Sequence, residues 1–223
     1  MLGSKRIALF AGHYGSGKTN IAVNMALILR QKGLSVAVAD LDIVNPYFRT
    51  KDSAAELEAA GIRMISSIYA NSNVDVPALP GEAYAIIDDR ELYAVVDVGG
   101  DDRGALALGR YAPAILEENN YNAYLVINKY RPLTRTVEDA LAVMCEVETA
   151  AGLPFTGIIN NSNIGADTTV EDIYASVPFA EELSRITKLP VVAVTARDDL
   201  AAELKLENVL PITLHYKPGW AIW

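Results

Sequence analysis

Cysteine is almost missing: the 223 residues contain one, Cys145, alongside two histidines. A single thiol excludes an internal disulfide and any Cys-x-x-Cys metal or redox motif. Cys145 falls within 137–151, a stretch with helical periodicity, and is expected to pack as a small hydrophobe. Long apolar runs are also lacking. Half the chain is apolar (51%), yet polar residues interrupt every run well short of the roughly 18–20 needed to cross a bilayer. The first residues, Met1 to Arg6, lack the apolar stretch and cleavage site of a secretory signal. A cytoplasmic protein without a membrane segment is expected. Basic residues are scarce too: 19 Lys and Arg against 28 Asp and Glu leave a net charge of −9. That balance argues against a broad nucleic-acid surface or adhesion to anionic lipid. Repeats, low-complexity segments and charge blocks are absent, so residues 1–223 read as one domain.

What is present begins at Gly12-His13-Tyr14-Gly15-Ser16-Gly17-Lys18-Thr19, between the apolar run 7–11 and the helical pattern that starts at Ile21. The octet fits G-x-x-x-x-G-K-[ST] in its strand-loop-helix context. Gly12, Gly15 and Gly17 allow backbone angles that let successive N–H groups turn inward around a phosphate, joined by Ser16 in the loop. Lys18 is expected at the β- and γ-phosphates, Thr19 on Mg²⁺, and the helix start adds its positive dipole end.

Apolar strand patterns then alternate with helical ones. Strands are expected at 34–39, 62–66, 92–96, 124–127, 155–159, 191–194 and 209–216. Helices are expected at 51–60, 82–90, 103–118 (kinked at Pro113), 137–151, 170–185 and near 199–204, with an irregular loop over 69–81. Such alternation implies an α/β fold: a doubly wound, mostly parallel sheet with helices on both faces, in three layers. Gly12, Asp40, Asp97, Asn128, Asn160 and Thr195 all fall at the C-terminal ends of apolar strands, the edge where open α/β sheets bind ligands.

Phosphoryl transfer rests on positioning and electrostatic stabilisation, so the carboxylates at this edge matter. Asp97, which closes four hydrophobes in the manner of a Walker B strand, is expected to hold a water on Mg²⁺. Asp40 is the candidate for orienting the attacking water; Asp42 could take that role or assist the metal, and spacing does not separate them. Gly99 and Gly100 leave room for a backbone N–H beside the γ-phosphate, so 97–104 can respond to hydrolysis. Asn128-Lys129 is similar to the base-reading Asn-Lys of GTPases, but Arg131 stands where their Asp would, which favours ATP over GTP. Arg103, Arg131 and Arg135 could reach phosphate or a partner, and a solvated surface side chain is the expectation for each.

The phosphate loop, Asp40-Leu41-Asp42, Asp97-Val98-Gly99-Gly100 and the strand ending at Asn160 together resemble the MinD/ParA and nitrogenase-iron-protein group (SIMIBI class) of P-loop ATPases. The resemblance covers most of the chain in order. It implies that Lys18 and Thr19 bind phosphate and Mg²⁺, that Asp40 lies by the attacking water, that Asp97 is the Walker B residue and that Asn160 recognises adenine. The group's signature lysine, which reaches across a nucleotide-sandwich dimer, is replaced by His13; a homodimer is possible, and His13 is a cation near phosphate or a plain loop residue. Lys217 to Trp223 do not match the membrane helix of MinD, and no paired cysteines bridge subunits. The function so implied is a Mg²⁺-dependent ATPase whose nucleotide state regulates an unidentified protein partner. The alternatives are an ATP-dependent small-molecule enzyme, such as a dethiobiotin-synthetase-like ligase or a kinase, and a nucleotide sensor that does not hydrolyse.

Overall fold

A computed structural model describes residues 4–41, 51–66, 84–99 and 102–215. Asp42, Gly100, the 69–81 loop and the C-terminal Lys217 to Trp223 lie outside the described residues, as does the side chain of Arg103. Eight strands form one sheet: β1 (Ile7–Ala11), β2 (Val36–Asp40), β3 (Arg63–Ser66), β4 (Tyr93–Asp97), β5 (Tyr121–Ile127), β6 (Gly157–Asn160), β7 (Val191–Arg197) and β8 (Val209–Ile212). Their order is β3-β2-β4-β1-β5-β6-β7-β8, and every pairing is parallel. The expected α/β sheet is therefore parallel throughout its described strands.

Parallel strands covered on both faces read as continuous apolar runs, and alternate residues then divide between two cores. Ile7, Leu9 and Ala11 of β1 pack on one side with Ala94, Val96, Leu125 and Ile127. Ala8 and Phe10 pack on the other with Val38, Val95 and Val126. The first side is covered by α4 (Asp102–Gly109), α5 (Ala112–Glu118), α6 (Val137–Ala151) and α7 (Val170–Thr187); the second by α1 (Lys18–Gln31) and α2 (Lys51–Ala59). Two short helices, α3 (Ala85–Asp88) and α8 (Asp198–Ala201), complete the described set.

Three expectations change. The single helix over 103–118 is two, broken at Arg110-Tyr111, with Pro113 in the first turn of α5, where a missing N–H costs nothing. Cys145 is exposed on α6 rather than packed; Ala140, Val147 and Ala151 form the buried stripe instead. The last strand stops at Ile212, and beyond it Asn24 of α1 accepts the Thr213 N–H at 3.0 Å and donates to the Thr213 carbonyl at 2.8 Å.

Below the sheet, Arg6 is buried and donates to the carbonyls of Ile86, Asp89 and Leu92, while its other nitrogens pair with Glu118. Glu118 also meets Arg90 at 2.7 Å, and the Arg6 hydrogen bond holds its carboxyl below the ordinary glutamate range. This cluster ties the start of β1 to α3 and α5. No described helix is long and apolar enough to cross a membrane.

Candidate functional site

The chain leaves β1 with β4 on one side and β5 on the other, so the loop after β1 sits where strand order reverses, the usual crevice of open α/β sheets. Gly12, Gly15 and Gly17 adopt φ values of 147°, 76° and 92°. A Cβ at Gly12 would lie 2.3 Å from the Val126 carbonyl oxygen, and one at Gly17 would lie 2.1 Å from Asn161 Nδ2. Glycine is required at Gly12 by the backbone it meets as well as by its φ, and favoured at Gly17 by φ, with any Cβ there also displacing the Asn161 amide. The loop closes on itself through Ser16 N–H to the His13 carbonyl at 3.1 Å. Lys18 is buried and its ammonium donates to the carbonyls of Gly12 (3.0 Å) and His13 (3.2 Å), so the charge arches over the loop. Ser16 is buried as well, and its hydroxyl has no hydrogen-bond partner among the described residues. His13 Nδ1 donates to the Tyr14 carbonyl at 2.9 Å, while the Tyr14 ring is 54% exposed.

Thr19, in the first turn of α1, donates its hydroxyl to Asp97 Oδ2 at 2.6 Å. Asp97 ends β4 and is buried. Asp40 ends β2 directly opposite Asp97 in the strand register and is buried too. The Leu41 N–H donates to the Asp97 carbonyl at 2.9 Å, and the Val98 N–H to the Phe10 carbonyl at 3.0 Å, which fixes the end of β2 against β4 and the end of β4 against β1. A Cβ on Gly104 would lie 2.6 Å from Gly99 N, so the turn after Asp97 packs closely under the start of α4. A hydroxyl and a carboxylate side by side are hard oxygen ligands of the kind Mg²⁺ takes, and the pair fits that ion.

The opposite wall is built from asparagines. Asn128 is buried at the end of β5; its Oδ1 accepts from the N–H groups of Tyr130 (3.0 Å) and Asn163 (3.2 Å), and its Nδ2 donates to the Asn163 carbonyl at 3.1 Å. Lys129 donates to the Ala175 carbonyl of α7 at 2.8 Å. The neighbouring Tyr130 donates to the Asp172 carbonyl at 2.7 Å, with its hydroxyl pKa raised by burial and then by the Asp172 charge. Asn160 is 0% exposed; its Nδ2 donates to Ser176 Oγ at 2.8 Å and its Oδ1 accepts the Ser162 N–H at 3.2 Å. One amide hydrogen and one lone pair of Asn160 remain beyond those two bonds.

Two residues that the sequence reading did not place in the site hold the loop itself. Asn161 Nδ2 donates to the Ser16 carbonyl at 2.5 Å, and its Oδ1 accepts a short hydrogen bond from the Thr195 hydroxyl. Arg131, expected as a solvated surface side chain, is half-buried and its Nε donates to the Gly15 carbonyl at 2.9 Å. Arg131 closes the Asn128-Lys129-Tyr130-Arg131 segment and Asn161 directly follows Asn160, but neither segment specifies a contact with the loop. The signal available was position: both follow strands whose C-terminal ends face the loop.

Residues 7–170, well over half of the chain, match the CbiA family model, the CobQ/CobB/MinD/ParA nucleotide binding domain. The chain belongs to this family. The membership agrees with the SIMIBI-class resemblance and makes this a nucleotide-binding P-loop domain. No curated protein gives a significant match. Among solved structures, the signal recognition particle receptor FtsY of Elizabethkingia anophelis is similar over 84% of this chain and 57% of that one, at 15% identity and a TM-score of 0.54. FtsY of Thermotoga maritima covers 85% and 61%, at 18% identity and 0.54, and chloroplast FtsY of Physcomitrella patens 84% and 57%, at 19% and 0.54. At these identities the likeness is one of fold. The chain spans about three fifths of the length of those structures.

Proposed function

We propose that this domain is a Mg²⁺-dependent ATPase whose nucleotide state is read by a protein partner, in the cytoplasm. The observation that carries the reading is the direct contact of Thr19 with Asp97 beneath a loop already arched by Lys18. In it, the loop N–H groups and Lys18 take the β- and γ-phosphates, with Ser16 and the start of α1 contributing to the same anion. Thr19 and Asp97 would hold Mg²⁺, and the ion would supply charge neutralisation at the phosphates. Asp40, opposite Asp97 across the β2–β4 register, orients the attacking water, with Asp42 as the other carboxylate available to that role. Asn160, at the end of β6, is the residue assigned to adenine, as the family resemblance implies.

ATP is favoured over GTP on two grounds. Lys129 is engaged on α7 rather than presented to a base, and Arg131 stands in the sequence where a guanine-accepting Asp would, so that segment supplies no carboxylate there. A partner is favoured by Tyr14, which carries an exposed aromatic ring on the phosphate loop itself. A second copy of this chain is one such partner.

The test is nucleotide binding and turnover by the purified protein with ATP and GTP, with and without Mg²⁺, beside Lys18→Ala. Mg²⁺-dependent ATP hydrolysis that Lys18→Ala abolishes is expected. Binding without turnover would leave a sensor, and no binding of either nucleotide would reject the reading.

A further inference from the structure

Arg131 stands out among the arginines of this acidic chain. Arg6, Arg90, Arg185 and Arg197 each face a carboxylate. Arg131 is half-buried, yet it faces no carboxylate among the described residues, and its side chain makes a single hydrogen bond, from Nε to the Gly15 carbonyl. That bond leaves the two Nη groups, with four N–H donors, unused by any described residue. A guanidinium removed partly from water without a counter-charge is costly unless an anion arrives to meet it.

The location says which anion. The guanidinium lies against the middle of the phosphate loop: a Cβ on Gly15 would come within 3.4 Å of Nε and 3.7 Å of Cζ. Any phosphate cradled by that loop falls within a Debye length of the charge, about 8–10 Å. Asn161 holds the next carbonyl, that of Ser16, from the same side. Because a peptide is planar and trans, fixing the Ser16 carbonyl fixes the Gly17 N–H on the opposite side of that plane. The end of the sheet beyond β5 thus shapes the loop at two consecutive residues and brings a positive charge with one of them.

We propose that Arg131 is a second cation of the phosphate site: its Nε tethers the loop at Gly15 while its Nη groups engage the polyphosphate of the bound nucleotide in the same chain. This inference rests on the nucleotide-binding reading above.

The experiment compares wild type, Arg131→Gln and Arg131→Lys by calorimetric titration with MgATP and with magnesium tripolyphosphate, which has no base or ribose, after thermal melts confirm folding. Arg131→Gln is expected to weaken both ligands by a similar factor of about ten or more, as loss of a charged hydrogen-bonding group does. Arg131→Lys, which keeps the charge, is expected to recover part of the loss. Unchanged affinity for both ligands in Arg131→Gln would overturn the proposal and leave Arg131 a tether. So would weakened ATP with unchanged tripolyphosphate, which would place the contact on the nucleoside. Should Arg131→Gln fail to fold, the Arg131→Lys protein decides alone: its tripolyphosphate affinity must remain within a few fold of wild type while becoming more salt-sensitive, and otherwise the proposal falls. A wild-type protein that binds neither ATP nor GTP rejects the nucleotide reading itself, and this inference with it.

Discussion

Thr19 and Asp97, 78 residues apart in the chain, are joined by one hydrogen bond of 2.6 Å. The contact exists because β4 pairs with β1 in parallel, placing Asp97 beside Phe10 just before the phosphate loop. Removing the hydroxyl should therefore act on the metal before it acts on the nucleotide. Thr19→Ala is expected to retain nucleotide binding in the absence of Mg²⁺ but to lose most of the gain that Mg²⁺ brings, with hydrolysis lower by roughly 10²-fold. A Mg²⁺ titration of ATP turnover checks this; an unchanged Mg²⁺ requirement would remove Thr19 from the metal.

Asp40 faces Asp97 across the strand register but is not its hydrogen-bond partner at Thr19. Asp40→Asn should bind MgATP with near wild-type affinity and lose hydrolysis, because an amide cannot orient water as a carboxylate does. Single-turnover hydrolysis beside equilibrium binding separates the two. Full turnover in Asp40→Asn would transfer the role to Asp42.

Gly17→Ala meets two obstacles. Its φ of 92° is unfavourable to any side chain, at a cost of about 1–2 kcal/mol, and its Cβ would run into Asn161 Nδ2. Nucleotide binding is expected to fail. Pairing it with Asn161→Ala removes the clash and not the strain, so recovery should be partial; complete recovery would show that the backbone angle does not matter there.

Stability at low pH should report on Glu118. Its carboxyl is held below the usual range by the Arg6 hydrogen bond, so its contribution is fully present above the pKa of an unfolded glutamate and is lost as pH falls through the lower folded value. Glu118→Gln leaves Arg6 buried without its counter-charge and should cost about 3 kcal/mol, the scale of breaking a buried pair. Urea unfolding at neutral and acidic pH measures both. The difference between variant and wild type should shrink as acid protonates Glu118, and a pH-independent difference would refute the linkage.

Size-exclusion with light scattering, in ADP and in a non-hydrolysable ATP analogue with Mg²⁺, tests whether the partner is a second copy. Monomer in ADP and dimer in the analogue is the expected pattern. A constant mass would direct the search to a different protein.

Much of this molecule was readable from residue order. The strand-glycine-helix pattern around Lys18, and the apolar runs that end at Asp40, Asp97, Asn128 and Asn160, lead to the sheet edge where the structure gathers them. Periodicity carries that far because a strand covered on both faces must be apolar throughout. It carries no information about side chains that act across the fold. Arg131 and Asn161 hold loop carbonyls 116 and 145 residues away, and their neighbours Asn128-Lys129 and Asn160 mark the sheet edge without showing that contact. Cys145 departs from the expected packing because a helical stretch does not say which of its residues face the core; the buried stripe through Ala140, Val147 and Ala151 leaves it outside. The 103–118 stretch divides where Tyr111 caps a proline-initiated turn, because a proline in a first turn starts a helix where one in mid-helix would kink it.

The strand order also sets a timetable for synthesis. β1 is made before its neighbours in the sheet, β4 and β5, so Ile7 waits for Ala94 and Tyr121. The loop that follows waits longer, since the groups that grip Gly15 and Ser16 arrive with Arg131 and Asn161. Closing such long stretches of chain is slow, and domains emerging from the ribosome fold only as far as the contacts already made allow. The phosphate loop is thus made before the groups that shape it, and a nascent chain that stops short of residue 161 carries the complete octet without the grip that gives it its form.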